Sequence, residues 1–556
     1  MTNNFSLFRV SKPGERAFSN LIILIPTLVV FLFFVIPVIS VLRYANIGTI
    51  RNFLTDSYYL SVIRFTFLQA VVSTFVSLIL GFPGAWIMSH LEFKGKNFIN
   101  SLTTVPFVLP SILVVIGFVL CFGNNGVINK VLMLITGAET PPLKILYSFK
   151  AIILAHAFYN FPISLRFISS SWKNIGANRI EAAESLGAGK TKIFFSVILP
   201  ALLPSIIAAA SLIFIYCFMS FAVVLILGGG PACSTIEVEI YRFARINLNL
   251  EAAASLAIIG ACLTIVFTFI YIKLQKLATN SNNDERKLTP IKLKSLHPGA
   301  KIIMILYIFI IILLIAGPII AVCVRSFQSR AGWSGNVVFS LKQYKSLLDS
   351  VSLLSSIKNS ILYALGTILI AIPSSIIAGY FLAKKRLAFP ESFETFLMLP
   401  MGVSSIVIGL GYYGILSYLP PNFDKRGLLI IFSHSVIALP FTVKTITTGI
   451  RQLPDNISEA SLSLGAGVFA TFLKVELPLL KGSVVSAAAF AFCISAGEIN
   501  SSLILSDGSS STIPIMIYRL ISSYNFFGAC AMGTILIVIC GTAFYLIDKY
   551  GGDELF

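Results

Sequence analysis

The sequence predicts an all-α membrane protein with twelve transmembrane helices, arranged as two parallel six-helix repeats. Hydrophobic residues make up 56% of the 556 residues and charged residues only 12%, whereas soluble chains carry about a quarter charged residues. The apolar residues fall in long runs, and helices can present such runs to lipid while hydrogen-bonding their own backbone. A transmembrane β-barrel would instead show short segments of alternating hydrophobicity.

Each membrane helix is predicted from a run that supplies about the 20 apolar residues a bilayer requires. The predicted spans lie near residues 20–42, 59–89, 102–121, 147–168, 203–228, 252–274, 301–324, 358–383, 396–418, 427–449, 483–506 and 526–547. The first run is too long for the core of a signal peptide, so we interpret it as a retained span. A polar and basic linker at 276–300 separates a first domain at 1–275 from a second at 301–556.

The net charge of +18 comes from short basic segments between the apolar runs. Such segments set membrane topology and do not form a phosphate-binding face, so nucleic acid is not an expected partner. Their distribution predicts that both termini face the cytoplasm. Seven of the eight cysteines lie inside apolar segments, and their spacing predicts neither a disulfide framework nor a metal site.

The two halves of the chain are related in sequence. AHAFYNFPISL at 155–165 aligns with SHSVIALPFTV at 433–443, an offset of 278 residues. EAAESLGAG at 181–189 falls on EASLSLGAG at 459–467 at the same offset. Because each half has an even number of spans, both halves are predicted to have the same orientation across the membrane.

The stretch ESLGAGKT at 184–191 ends like a nucleotide-binding loop. That pattern requires another glycine five residues before Gly189, where the chain has Glu184, and it should follow a strand, whereas NRIEAAE predicts a helix. The second repeat has GVF at 467–469 in the corresponding place and therefore lacks the lysine. The chain is not predicted to bind ATP itself.

Both copies of this stretch lie in loops predicted to be cytoplasmic, between the fourth and fifth spans of each half. The pattern E-A-A, three residues, G, nine residues, a hydrophobic residue, any residue and L-P resembles the EAA loop of bacterial ABC-importer permeases, here at 181–200 and 459–478. The second copy departs at Ser461, a small residue in a small-residue position. The matching residues are Glu181, Ala182, Ala183, Gly187, Leu199 and Pro200, then Glu459, Ala460, Ser461, Gly465, Leu477 and Pro478.

This resemblance implies the type I ABC-importer permease fold, with both transmembrane domains fused in one chain. In that family each EAA loop forms a coupling helix that docks on an ATPase. The implied partners are two cytoplasmic ABC ATPase subunits, which use the ATP, and a periplasmic or lipid-anchored substrate-binding protein. The chain is then a transport subunit in the bacterial inner membrane, surrounded by lipid, and not an enzyme; it binds no cofactor directly. Fused pairs of this size resemble the ferric-iron and thiamine permeases, and we favour iron slightly.

A secondary transporter of the major facilitator type is the alternative from another class, since it also has twelve spans in two parallel halves. Such carriers have a glycine and charge motif between spans two and three, where this chain has only SHLEFKGKN. A membrane-embedded enzyme is a third possibility, but the sequence shows no nucleophile–base pair and no metal-ligand spacing.

Glu498 is the candidate residue of a substrate pathway. An ionisable group at membrane depth is costly and usually faces a cavity or a partner. The competing interpretation, of equal weight, is a structural cap at a helix break formed with Gly497 and Asn500.

Two further features have a structural interpretation that we prefer. His156 and His434 recur by repeat and are predicted to be packed and hydrogen-bonded, because lone histidines on apolar segments rarely find the other ligands of a metal. The segment 228–257, which includes Glu237 and Glu239, is predicted to re-enter and pack against the bundle. The alternative is contact with the substrate-binding protein, where rim charges would steer encounter.

Overall fold

The computed structural model describes residues 13–175, 177–279, 291–292, 297–331, 336–384, 389–416, 418–420 and 426–550. Most of the predicted linker at 276–300 lies outside these ranges. The first-half helices are α1 (Pro13–Val30), α2 (Ile36–Tyr44), α3 (Ile47–Thr55), α4 (Ser57–His90), α5 (Lys96–Val108), α6 (Ser111–Phe122), α7 (Val127–Thr136), α8 (Phe149–Lys173), α9 (Ala177–Ser185), α10 (Lys190–Ile193), α11 (Leu199–Phe218), α12 (Ala222–Leu227), α13 (Ile236–Tyr241) and α14 (Leu250–Thr279).

The second half repeats this order. Its helices are α15 (Pro298–Ser326), α16 (Lys342–Asp349), α17 (Val351–Ala383), α18 (Pro390–Met398), α19 (Ser405–Leu416), α20 (Arg426–Gln452), α21 (Asp455–Ser463), α22 (Val468–Thr471), α23 (Leu477–Leu479), α24 (Lys481–Gly497), α25 (Asn500–Leu505), α26 (Ile513–Ser522) and α27 (Phe526–Tyr550). Strand β1 (Leu91–Glu92) pairs in parallel with β2 (Ile291–Lys292), and β3 (Gln328–Ala331) pairs antiparallel with β4 (Asn336–Phe339).

The number of membrane helices agrees with the prediction. In the described part of the chain, ten helices are long and apolar enough to cross a membrane, or up to twelve if each of two bent pairs is one span. The bent pairs are Pro390–Gly402 with Ser405–Leu416, at 87°, and Val468–Leu479 with Lys481–Gly497, at 72°. They fall at predicted spans nine and eleven, so the all-α membrane class is confirmed.

The helix ends differ from the predicted spans, because hydropathy marks the apolar part of a helix and not its polar ends. The helix predicted at 203–228 begins at Lys190 and ends at Phe218. The span predicted at 102–121 is divided at Leu109 and Pro110 into α5 and α6. Proline lacks an N–H donor and disfavours helical geometry in the residue before it, which accounts for this break.

The two halves pack in equivalent ways. α4 packs along α8, as α17 packs along α20. Ile236 N–H donates to Thr66 Oγ1 at 3.1 Å, and Ile513 N–H donates to Ser360 Oγ at 2.8 Å. The first helix of each half also packs on the third helix of the other, with α2 against α19 and α15 against α6. The repeat is therefore structural as well as sequential, and the halves interlock.

Proline widens the helices that leave the two EAA loops. π-Helical turns at Phe194–Ile198 and Phe472–Glu476 each end two residues before a proline, Pro200 or Pro478. The proline ring clashes with the carbonyl four residues earlier and removes one backbone hydrogen bond, and a wider turn accommodates both changes. A π-turn thus separates each loop from the membrane helix that follows it.

Candidate functional site

Two helical hairpins stand at equivalent places in the repeat. The first hairpin (177–198) runs from α9 through a short turn into α10 and its π-turn, and the second hairpin (455–476) runs from α21 into α22 in the same way. Together with the L-P pairs that follow, they contain all twelve residues of the EAA pattern. The L-P pairs begin α11 and α23, which lead back to the membrane.

Gly187 and Gly465 end the first helix of each hairpin in the left-handed region, with φ of +78° and +85°. Gly187 N–H donates to Glu184 O, and Ala188 N–H donates to Ala183 O, which is the hydrogen-bond pattern of a Schellman cap. The same bonds recur in the second hairpin. A Cβ added at either glycine meets no atom within 4 Å, so backbone conformation and not space requires glycine here.

The outer face of each hairpin combines a carboxylate, small residues and one fully exposed leucine. Leu186 is 88% exposed and Leu464 is 90% exposed, and they occupy the same position just before the two cap glycines. Glu181 and Ala182 in the first hairpin and Glu459 and Ala460 in the second are exposed as well. Small residues permit the close approach of a partner, and an exposed apolar side chain beside them gains free energy when it is covered.

The third positions of the two E-A-A triplets face the hairpin interior. Ala183 and Ser461 are half-buried, and Ser461 Oγ lies 2.9 Å from Thr471 Oγ1 on the returning segment. The departure from alanine in the second copy is therefore matched by a hydrogen-bond partner across the hairpin.

Both repeated histidines are buried and hydrogen-bonded through both ring nitrogens. His156 Nδ1 lies 3.1 Å from Ser73 Oγ, and its Nε2 lies 2.7 Å from Ser220 Oγ. His434 Nδ1 lies 2.8 Å from Ser495 Oγ, and His434 Nε2 lies 2.8 Å from Ser502 Oγ. Each ring ties its helix to the region of the next helix break. The described residues contain no group of three or more His, Cys, Asp and Glu residues that could hold a metal ion.

A set of helix breaks lies at corresponding depths in the two halves. The third helix of each half is interrupted at 109–110 and 403–404, and the fifth at 219–221 and 498–499. Non-helical backbone at membrane depth is tolerated where protein surrounds it or where it lines a cavity, and discontinuous helices in corresponding positions of two repeats point to a substrate site. Hydropathy could not reveal these breaks, although Pro110 and the Gly-Glu pair at 497–498 are visible signals.

Glu498 occupies the break between α24 and α25. Its Oε1 accepts hydrogen bonds from the backbone N–H groups of Asn500 at 2.7 Å and Ser501 at 3.2 Å, so it caps α25. Asn500 Nδ2 also donates to Ser405 Oγ at 2.9 Å, which connects this break to the one at 403–404. Glu498 is therefore a cap at a helix break, as the structural interpretation of the sequence predicted. The cap uses Oε1 of the carboxylate and not Oε2.

The same break meets the first half of the chain. A Cβ on Gly497 would lie 2.8 Å from Pro110 Cγ, which requires glycine at this close approach. Tyr159 OH donates to Leu109 O at 3.2 Å, so Tyr159 and the Gly497–Glu498 break both lie beside the break at 109–110. Glu498 therefore lies at the boundary between the halves, where a path between them would run.

The segment 228–257 packs against the bundle, as predicted. Glu237 and Glu239 are 2% and 5% exposed, although nothing in the sequence pattern marked these carboxylates as buried. Glu237 Oε2 accepts from Ser404 Oγ of the second half at 2.6 Å. Glu239 accepts from Ser234 at 2.6 Å and pairs with Arg242 at 2.8 Å. These two acidic residues are therefore internal contacts and not a surface for a partner.

The chain resembles known transport proteins over most of its length. The family profile described as "Binding-protein-dependent transport system inner membrane component" matches residues 79–279 and 371–550. The thiamine transport system permease protein ThiP of Brucella abortus (strain 2308) is 25% identical over 507 residues, which cover 89% of this chain and 88% of that protein. The ferric transport system permease protein FbpB of Actinobacillus pleuropneumoniae is 25% identical over 522 residues, covering 92% of this chain and 73% of that protein.

Among solved structures, the chain is similar to one chain of a bacterial alginate ABC transporter in complex with an alginate-bound periplasmic protein. The TM-score is 0.42 and the sequence identity is 18%, and the match covers 50% of this chain and all of that chain. The family profile alone covers well over half of the present chain, once in each half, and the match includes both hairpins and both sets of helix breaks. The chain therefore belongs to the family of inner-membrane components of binding-protein-dependent transport systems, and it carries two copies of that domain in one polypeptide.

Proposed function

We propose that this chain is the transmembrane permease of an ABC importer, with both transmembrane domains in one chain and with the first and second hairpins as the docking points for two cytoplasmic ATPase subunits. The observation that carries this proposal is the pair of exposed hairpins, equivalent in backbone, cap glycine and exposed leucine. Two equivalent docking points suit two copies of one partner, because each copy then meets the same surface.

The proposed mechanism is alternating access. ATP binding draws the two ATPase subunits together, the hairpins move with them, and the halves rock about their interface to open the path on one side or the other. Coupling of this kind requires that ATP and the loaded substrate-binding protein stabilise different states of one equilibrium. The interlocked helices α2 and α15 allow each half to pull on the other.

We propose thiamine as the substrate. The ThiP relative and this chain match over nearly the full length of both, and Glu498 offers a carboxylate beside Tyr159 at the boundary between the halves. A carboxylate and aromatic rings suit a cationic heterocycle, through charge and cation–π attraction. Ferric iron is the second candidate, favoured by the FbpB relative, and carboxylate and phenol oxygens would give such an ion weak, transient contacts.

The proposal is tested by purifying the tagged full-length chain from native membranes. We expect an ABC ATPase to copurify and vesicles containing the complex to take up radiolabelled thiamine when ATP and the binding protein are supplied. Uptake of radiolabelled ferric iron is measured in parallel. Iron uptake without thiamine uptake would select the second candidate, and copurification of no ATPase would contradict the importer assignment.

The proposed topology places both hairpins and both termini in the cytoplasm. Cysteines introduced one at a time at Ser185 and Ser463, in a background with Cys233, Cys262 and Cys323 replaced by serine, should react with a membrane-impermeant thiol reagent only in inverted vesicles. Both serines are exposed, so reagent access depends on the side of the membrane. Labelling of the two cysteines from opposite sides would contradict the parallel repeat.

A further inference from the structure

The two hairpins share a backbone but differ in their interiors. At an offset of 278 residues, four inward-facing positions change from apolar to polar. The first hairpin has Ile180, Ala183, Ile193 and Ile198, whereas the second hairpin has Ser458, Ser461, Thr471 and Glu476. All eight side chains are buried or half-buried, so the change affects how each hairpin is held together.

Apolar packing seats the first hairpin on the membrane helices. Ile180 and Ile198 pack against a cluster around Trp172, which is 2% exposed. The Trp172 ring meets His90, the last residue of α4, edge to face at 5.3 Å. Aromatic and aliphatic contacts thus connect the first hairpin to the end of α4 through α8.

A buried ionic group seats the second hairpin. Glu476 is 3% exposed, although it lies on the π-turn that leads out of the hairpin. Its carboxylate accepts a hydrogen bond from Ser458 Oγ on α21 and forms an ion pair with Lys384 Nζ at 3.3 Å. Lys384 Nζ also lies 3.5 Å from Ser458 Oγ. These three residues form one group, the Lys384–Glu476–Ser458 triad.

Lys384 lies at the C-terminal end of α17 and caps it. Thr66 on α4 and Ser360 on α17 make equivalent hydrogen bonds, so the two helices correspond at an offset of 294 residues. At this offset Lys384 is the position equivalent to His90. The equivalent membrane helices both meet their hairpins through aromatic rings, at 6.4 Å between Phe82 and Phe194 and at 4.7 Å between Tyr380 and Phe472. The second half adds the Lys384–Glu476 ion pair to that contact. An ion pair of this kind resists separation because either charge, left buried alone, is strongly destabilising.

We infer that Glu476 is a positioning residue of the importer: its ion pair with Lys384 transmits the displacement of the second hairpin to α17. The inference rests on the proposed function, in which an ATPase moves that hairpin. The first hairpin transmits its displacement through the Trp172 cluster. Ring contacts then couple both halves to the ATPase subunits, and the ion pair adds to them in the second half. Removal of a single charge weakens the coupling of the second half.

The test uses the complex purified with the full-length chain and reconstituted in vesicles with its binding protein. The measured quantity is the number of radiolabelled thiamine molecules imported per ATP hydrolysed, or of ferric ions if these prove to be the cargo. We expect Glu476→Gln and Lys384→Met each to lower this ratio at least about tenfold, because each removes the ion pair, and Lys384→Met leaves the Glu476 carboxylate buried without its cation. The double variant Lys384→Met/Glu476→Gln leaves neither charge of the pair, and its ratio should recover to within about threefold of wild type.

Lys358→Met is the matched control, since it makes the same substitution at an exposed position on the same helix, and it should leave the ratio unchanged. A purely structural role for the triad would reduce the amount of chain in the membrane and leave the ratio per complex intact. A wild-type ratio in Glu476→Gln, or additive losses in the double variant, would overturn the inference. Absence of an ATPase from the wild-type preparation would instead remove the proposed function on which the inference rests.

Discussion

The double replacement Gly187→Val/Gly465→Val is expected to lower substrate uptake about a hundredfold while ATP hydrolysis continues. Both glycines have φ near +80°, where a β-branched residue is strained by about 1–3 kcal/mol at each position. A Cβ at either position meets no atom within 4 Å, so the expected response to the strain is rotation of the turn. The exposed leucine and the carboxylate of each hairpin then leave their proposed docking positions.

Each hairpin provides its own control two residues further along the chain. Gly189 and Gly467 have φ of −69° and −70° and also face open space. The double variant Gly189→Val/Gly467→Val adds the same side chains to the same loops without backbone strain, and it should transport at close to the wild-type rate. Gly187→Asn/Gly465→Asn should lie between the two, because asparagine tolerates the left-handed region better than valine.

Uptake and ATP hydrolysis are measured in vesicles that contain the permease, its ATPase subunits and the binding protein. The amount of permease in the membrane is determined for each variant; Gly187 and Gly465 lie outside the membrane-spanning helices, so insertion should be unaffected. Normal transport by Gly187→Val/Gly465→Val would contradict the assignment of these hairpins as coupling elements. Equal losses in the Gly189→Val/Gly467→Val pair would show that added bulk, and not backbone geometry, is responsible.

The parts of this fold that follow from local rules were predictable from the sequence. Apolar runs gave the membrane class, because the bilayer imposes the same requirement on every span. The internal repeat predicted that the two hairpins are equivalent. Gly187 and Gly465 predicted the positions of their turns, because few residues other than glycine end a helix in the left-handed conformation. Each of these signals is contained in a few consecutive residues or in one repeated offset.

The contacts that depend on distant segments were not predictable. Glu476 reads in the sequence as an ordinary loop carboxylate, and only the structure brings Lys384 to it from α17. Glu237 likewise gains its partner, Ser404, from the other half of the chain. The breaks at 109–110 and 403–404 interrupt otherwise apolar segments, so a hydropathy pattern passes over them. Such features arise from packing between helices, which a sequence without a structure does not specify.

Glu498→Gln is the second substitution with a large expected effect, and it separates the two roles of this residue. Glutamine keeps an oxygen that can accept from the backbone N–H groups of Asn500 and Ser501, so the cap on α25 is retained. It removes the negative charge at the boundary between the halves. Glu498→Ala is the matched comparison, because it removes the cap and the charge together.

If the charge of Glu498 assists passage of a cationic substrate, Glu498→Gln should slow thiamine uptake about tenfold, since one charge-assisted contact contributes on the order of 1.5–3 kcal/mol. The ATPase subunits should copurify as in wild type, because the hairpins are unchanged. Glu498→Ala should lose further activity through disorder of the break that Asn500 and Ser405 share. Wild-type uptake in Glu498→Gln together with loss in Glu498→Ala would assign Glu498 to the helix cap alone, and the path of the substrate would then depend on neutral groups such as Tyr159.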